Sequence, residues 1–115
     1  MPQDPLLIDD STRAENGCRI LRLKGPLLLS NLFDFQSRVR ANTCRTLILD
    51  LSDVPYIDSA GIGALVGAHV NHNKDGRSLA LVGVVQRVGN SLKVAHVDSF
   101  FRFFDSLDAA ESASA

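Results

Sequence analysis

The chain has 115 residues, a length typical of one domain, and its 45% hydrophobic content excludes a disordered chain. A formal net charge of −1 argues against direct binding of nucleic acid, which needs a basic surface. No apolar run approaches the ~18 residues that span a bilayer, and the first residues lack the basic and apolar regions of a signal peptide. We therefore expect a cytoplasmic protein.

The domain is expected over residues 6–111, between a disordered start at residues 1–5 and a frayed tail at residues 112–115. The two cysteines, Cys18 and Cys44, are expected to be buried free thiols, because a cytoplasmic compartment is reducing. A disulfide between them stays open as the alternative.

The first third of the chain predicts two strands and a helix. A short strand is expected at residues 6–8, followed by a polar turn over residues 9–17. Cys18–Lys24 alternates in part between apolar and polar residues, as a strand with one wet face does. Ser30 is a candidate N-cap for a helix that runs to about Ala41.

The rest of the chain predicts three more strand–helix units. Residues 46–51 are almost continuously apolar, which is typical of a strand covered on both faces. Apolar residues then recur at helical spacing from Ala60 until Asp75-Gly76. The later elements are a strand at residues 79–84, a helix at 85–95, a strand at 100–104 and a small helix capped by Ser106.

This order, β-β-α-β-α-β-α-β-α, predicts an α/β fold. Parallel neighbours in a sheet need helical crossovers, so most of the strands should run parallel, with an antiparallel first pair. We expect a mixed sheet of four to five strands with about four helices against it.

Residues 50–63 are the most informative stretch, because a strand runs through a short loop to Asp58-Ser59, where a helix begins. Unpaired N–H groups at a helix N-terminus favour a negative group such as a phosphate. Ser59 is thus either an N-cap that stabilises the helix by ~1 kcal/mol or a phosphoacceptor. In the second case a phosphate would add roughly −1.5 to −2 charges to a loop that already holds Asp50, Asp53 and Asp58.

The residues around Ser59 also allow two interpretations. Asp58 either makes a favourable charge–dipole contact with the helix or assists phosphoryl transfer to its neighbour. Gly61, Gly63 and Gly67 form a GxGxxxG pattern instead of the dinucleotide-binding GxGxxG. Because each glycine costs a helix about 1 kcal/mol relative to alanine, we expect the helix backbone to approach the sheet or a partner closely.

Other site chemistries fit the sequence poorly. A nucleophile elbow needs glycine two residues before its serine, and Ile57 stands there. His69 and His72 have i, i+3 spacing, but no cysteine or carboxylate is placed with them to complete a metal site. We expect one histidine at the edge of the core and one on the surface. The phenylalanines at positions 100, 101, 103 and 104 are expected to divide between the core and an exposed docking patch.

The run Leu49–Val54, together with Ile57–Leu65, closely resembles the signature of STAS domains, the fold of anti-sigma-factor antagonists. The later strand at residues 79–84 and the apolar spacing from Val88 to Phe101 are also similar to that family. The resemblance covers about residues 18–111 and implies a regulatory binding domain with no cofactor, no metal and no enzymatic activity.

In that family the serine after the aspartate is phosphorylated by the partner, an anti-sigma factor that is itself an ATP-using serine kinase, and a phosphatase reverses the reaction. The unphosphorylated form binds the anti-sigma factor, and the phosphorylated form releases it. The resemblance thus implies that Ser59 is the phosphoacceptor. The docking surface that it implies consists of Asp58, Ser59, Ala60, Gly61, Ile62 and Gly63.

Two positions depart from the pattern of the antagonists. Position 60 is alanine, where many relatives carry serine or threonine. The segment from Gly25-Pro26-Leu27 to Asn31 is similar to STAS domains appended to anion transporters. The alternative function is therefore a constitutive STAS scaffold or transport-complex subunit, in which Ser59 only caps its helix.

Overall fold

Five strands form one mixed sheet in the computed structural model, which describes residues 5–13 and 17–114. The strands are β1 (Leu7–Arg13), β2 (Cys18–Lys24), β3 (Thr46–Asp53), β4 (Ser78–Val82) and β5 (Arg102–Phe104). They lie side by side in chain order; β1 is antiparallel to β2, and each later pair is parallel. The predicted α/β fold, with its antiparallel first pair, is confirmed. Residues 1–4 of the expected disordered start and residue 115 of the expected tail lie outside the described residues.

Four helices cover this sheet within the described part of the chain. They are α1 (Phe33–Arg40), α2 (Ser59–Lys74), α3 (Gln86–Val94) and α4 (Leu107–Ser114). The first three contribute to the larger core on one face, and α4 packs on the other face. Because side chains alternate along a strand, Leu47, Leu49 and Leu51 of β3 enter the larger core, whereas Ile48 and Asp50 point to the α4 face.

The polar turn predicted at residues 9–17 is wrong for residues 9–13, which continue β1 along the edge of the sheet. Asp10 is held there by Arg19 of β2, whose Nε and Nη2 donate to the carboxylate at 3.0 and 2.6 Å. These hydrogen bonds lower the pKa of Asp10. Polar side chains on an exposed edge strand resemble a turn in sequence, which explains the error. Residues 14–16 of the predicted turn lie outside the described residues.

The prediction that Ser30 caps α1 is also wrong, because the helix begins at Phe33 and the capping position is Leu32, which makes no side-chain bond. Asn31 closes the preceding turn instead. Its Oδ1 accepts from the Leu28 N–H, and its Nδ2 donates to the Pro26 carbonyl, both at 2.9 Å. The turn therefore forms before the helix and leaves Ser30 exposed. In contrast, the predicted cap Ser106 is confirmed, since its hydroxyl accepts from the Ala109 N–H.

The predicted cysteine and phenylalanine environments are largely confirmed. Cys18 and Cys44 are free thiols, although Cys44 is only partly buried. Phe101 is buried, whereas Phe100 and Phe103 are 47% and 44% exposed, so the phenylalanines divide between core and surface. The last strand is shorter than predicted because residues 98–100 form a turn of 3-10 helix.

Candidate functional site

The start of α2 lies against the loop that connects β2 to α1. Leu27 of that loop and Ile57 form an isolated parallel bridge. The Leu27 N–H donates to the Tyr56 carbonyl, and the Asp58 N–H donates to the Leu27 carbonyl, both at 3.3 Å. Since β2 and β3 are parallel, both loops leave the same edge of the sheet. They form one hydrogen-bonded surface around Ser59.

Asp58, and not Ser59, caps α2. Asp58 has the extended backbone of an N-cap residue, and its Oδ1 accepts from the Gly61 N–H at 2.8 Å. Its second oxygen, Oδ2, accepts from the Leu29 N–H at 3.0 Å. The interpretation of Ser59 as the cap is therefore wrong. Both residue types are good caps, and the position of the Leu29 N–H favours the one with two acceptor oxygens.

Ser59 is the first residue of α2 and is exposed to solvent. Within residues 5–13 and 17–114, neither its hydroxyl nor the backbone N–H groups of Ser59 and Ala60 make a hydrogen bond. An exposed hydroxyl thus stands beside two open donors at the positive end of a helix dipole. Such an arrangement can accept and stabilise a negative group on Ser59.

The other residues predicted for docking have different environments. Gly61 is buried, and a Cβ there would lie 2.3 Å from the Leu27 carbonyl oxygen, so the expected close backbone approach occurs at this position. Gly63 is exposed, and a Cβ there would meet nothing within 4 Å. Ala60 and Ile62 are half-buried against the core. Ser59 and Gly63 are therefore the most accessible members of the predicted surface.

The acidic character of this surface is smaller than the sequence predicts. Asp53 is exposed at the end of β3, but Asp50 is buried on the α4 face of the sheet. There its Oδ1 accepts from the Ser52 N–H and hydroxyl, at 3.0 and 2.7 Å. Its Oδ2 lies 3.2 Å from Arg22 Nε, an ion-pair distance without hydrogen-bond alignment. Asp58 is thus the carboxylate next to Ser59, and Asp53 is the exposed carboxylate at the end of β3.

Two features of the site are not evident from local sequence patterns. Leu29 is 63% exposed, and the Asp58 carboxylate holds its backbone next to the start of α2. On the other side of the loop, the Arg87 guanidinium of α3 stacks over the Tyr56 ring, 4.8 Å from its centroid. The sequence signal for the position of Leu29 is the segment that runs from Gly25-Pro26-Leu27 to Asn31.

The two histidines of α2 lie away from this surface and have structural contacts. His72 is buried; its Nδ1 lies 2.9 Å from the Ala68 carbonyl oxygen, and its Nε2 lies 2.9 Å from Asn42 Nδ2. This network assigns the proton to Nδ1, and burial lowers the pKa of His72. His69 is half-buried and stacks on Phe100, with ring centroids 5.8 Å apart.

Residues 5–13 and 17–114 contain neither a candidate metal-binding cluster nor a candidate membrane-spanning helix. No group of three or more histidine, cysteine or acidic side chains there could hold a metal ion. In the same part of the chain, no helix has both the length and the apolar character required to cross a membrane.

Comparison with known proteins extends these observations. The STAS domain family matches residues 11–110. A Thermotoga maritima protein assigned as an anti-sigma factor antagonist is similar in structure (TM-score 0.85, 22% identity, 93% of each chain covered). So is an anti-sigma factor antagonist from Mycobacterium paratuberculosis (TM-score 0.83, 17% identity, 95% of this chain and 93% of that chain).

A transporter is also among the similar structures. The murine anion transporter solute carrier 26 family member A9 shares 28% identity with this chain at a TM-score of 0.75. The match covers 85% of this chain but 18% of the transporter. With residues 11–110 matched by the family, this chain belongs to the STAS domain family.

Proposed function

We propose that this chain is a cytoplasmic anti-sigma-factor antagonist, a regulatory binding domain and not an enzyme. In this proposal it docks on an anti-sigma factor with serine kinase activity through the surface Asp58–Gly63. Phosphorylation of Ser59 releases the partner, and a phosphatase restores binding. The protein acts on transcription through this partner, without a cofactor and without contacting nucleic acid. The STAS fold and the antagonist structures that resemble this chain support the proposal.

The hydroxyl of Ser59, which is exposed and bonded to no described residue, is the observation that carries the proposal. Because Asp58 supplies the cap, a kinase can reach the Ser59 oxygen without breaking a hydrogen bond that α2 needs. The oxygen attacks the γ-phosphorus of ATP held by the kinase, so that a new O–P bond forms. The bond to the β-phosphate oxygen breaks, ADP leaves, and the hydroxyl proton passes to a base of the kinase. The phosphatase later uses water to release inorganic phosphate.

The charge of a phosphate explains how modification could end binding. The open N–H groups of Ser59 and Ala60 would stabilise the phosphate within the protein. However, roughly −1.5 to −2 charges would then stand beside the Asp58 carboxylate. Unit charges 4 Å apart repel by about 1 kcal/mol in water and about 4 kcal/mol near a protein surface. A partner that fits the neutral hydroxyl would have to bury this charge, so its affinity should fall.

The proposal is tested by incubating the protein with a purified anti-sigma kinase and ATP, followed by intact-mass measurement. The wild type should gain one phosphate. Ser59→Ala should gain none, and Ser30→Ala, which changes an exposed serine on the adjacent loop, should behave as the wild type. If the complex with the kinase forms and the mass of the wild type does not change, the phosphorylation switch is refuted.

A constitutive scaffold or transport-complex subunit is the second candidate. The segment from Gly25 to Asn31 and the 28% identity with an anion transporter favour it. A cap-only role for Ser59 is not available to this candidate, since Asp58 caps α2. Under this function Ser59→Asp should leave the affinity for the partner unchanged. A loss of affinity greater than about tenfold, or about 1.4 kcal/mol, would count against the scaffold.

A further inference from the structure

The Asp58 carboxylate joins two segments that are 29 residues apart in sequence. Oδ1 accepts from the Gly61 N–H inside α2, and Oδ2 accepts from the Leu29 N–H in the β2–α1 loop. A carboxylate can accept both bonds at these two separate positions, whereas a serine hydroxyl at the cap has one oxygen for both. A serine could therefore cap α2, but an aspartate is needed to cap the helix and accept from the Leu29 N–H at the same time.

The segment held by Asp58 is a preformed turn over residues 28–31. Asn31 Oδ1 accepts from the Leu28 N–H, and the Asn31 N–H donates to the Leu28 carbonyl at 3.0 Å. The Leu29 side chain is 63% exposed, and its bond to Asp58 is exposed as well. The bond from Asp58 to Gly61 is partly buried. A negative charge added next to Asp58 should therefore weaken the bond to Leu29 before it weakens the bond to Gly61.

We propose that Asp58 is a positioning residue that transmits the charge on Ser59 to the turn carrying Leu29. This inference rests on the proposed switch at Ser59. With a neutral hydroxyl, the carboxylate holds the turn, and Leu29 belongs to the same docking surface as Ser59. A phosphate on Ser59 repels the adjacent carboxylate, weakens the exposed bond and loosens the turn. The partner then meets both a new charge at Ser59 and a displaced apolar residue at Leu29.

Asp58→Asn isolates the positioning role. Asparagine is as good an N-cap as aspartate, so its side-chain oxygen still accepts from the Gly61 N–H. The other side-chain atom becomes an NH₂ donor that faces the Leu29 N–H donor, and this bond is lost. Amide hydrogen exchange of the purified protein, followed by NMR, should show the Leu29 amide exchanging about tenfold faster, with the Gly61 amide nearly unchanged.

Two further variants complete this measurement. Asp53→Asn removes the exposed carboxylate at the end of β3, which does not bond to the Leu29 N–H, and should leave the exchange of Leu29 unaltered. Asp58→Ser keeps a capping oxygen without the second acceptor and should accelerate the exchange of Leu29 as Asp58→Asn does. Wild-type exchange at Leu29 in both Asp58 variants would show that Asp58 does not position the turn.

The response to phosphate is measured on protein made with phosphoserine incorporated at position 59, which needs no kinase. The Leu29 amide should again exchange several-fold faster than in the wild type, and adding Asp58→Asn should cause little further change, because both alterations break one bond. If phosphoserine leaves Leu29 exchange unchanged, the coupling is refuted whether or not a kinase modifies the protein. If no kinase modifies Ser59 but Leu29 responds to phosphoserine, the proposed function fails and the coupling stands.

Discussion

Replacement of Asp58 should destabilise the protein far more than replacement of Ser59. Asp58→Ala removes the cap bond to the Gly61 N–H at 2.8 Å and the bond to the Leu29 N–H at 3.0 Å. Loss of an N-cap side chain costs ~1 kcal/mol, and loss of an exposed hydrogen bond costs about 0.5–1.5 kcal/mol. The free energy of unfolding should therefore fall by about 2 kcal/mol.

Ser59→Ala removes a hydroxyl that is exposed and bonded to no described residue. Its effect should stay within ~0.5 kcal/mol, as for most surface substitutions. Asp58→Asn, which keeps the cap and loses the Leu29 bond, should fall between the two, at about 1 kcal/mol. This order of the three variants follows from the number of hydrogen bonds that each one removes.

Urea unfolding at neutral pH, monitored by circular dichroism, measures all three values against the wild type. The slope of the transition should stay constant, so that the midpoints report stability directly. If Ser59→Ala lowers the free energy of unfolding as much as Asp58→Ala does, Ser59 contributes to the cap, and its hydroxyl is not free of a structural role.

Two further predictions concern α2. Gly61→Ala should lower the free energy of unfolding by about 1–2 kcal/mol, because its Cβ would lie 2.3 Å from the Leu27 oxygen. Gly63→Ala should raise it by up to ~1 kcal/mol, since its Cβ would meet nothing within 4 Å and alanine favours a helix more than glycine does. A lower urea midpoint for Gly63→Ala than for Gly61→Ala would contradict this packing. Burial lowers the pKa of His72, so its contribution to stability should be fully present above the unfolded pKa of ~6.5 and should be lost as pH falls below that value. In His72→Gln the loss of stability at acid pH should be smaller. A pH profile of stability that is the same in His72→Gln and the wild type would exclude His72 as the source of that loss.

Much of the fold follows from local patterns along the chain. The alternation in Cys18–Lys24 predicts β2 with the bounds that the structure shows, and the apolar run from Thr46 predicts β3 as a central strand. The extension of β1 over residues 9–13 could not be predicted in this way. Its polar residues face solvent on an edge strand, and Asp10 is held by Arg19 on the neighbouring strand. Nothing within the segment itself distinguishes such a strand from a turn.

The position of the candidate site was predictable, but the roles of its residues were not. The sequence places Asp58 and Ser59 where a strand–loop–helix pattern changes, and either side chain can cap a helix. Local sequence does not distinguish Asp50 from Asp53, yet Asp50 is buried and Asp53 is exposed. Strand alternation directs Asp50 to the α4 face, where the Ser52 hydroxyl donates to its carboxylate and Arg22 lies at ion-pair distance.

The sequence by itself determined the α/β order of elements, the family resemblance and the location of a serine at the start of α2. Only the tertiary structure decided which residue caps that helix. The deciding group is the Leu29 N–H, which comes from a loop 29 residues away. It bonds to one Asp58 oxygen while the Gly61 N–H bonds to the other. Local preferences rank Asp58 and Ser59 almost equally as caps, so a long-range hydrogen bond selects between them and leaves the Ser59 hydroxyl exposed.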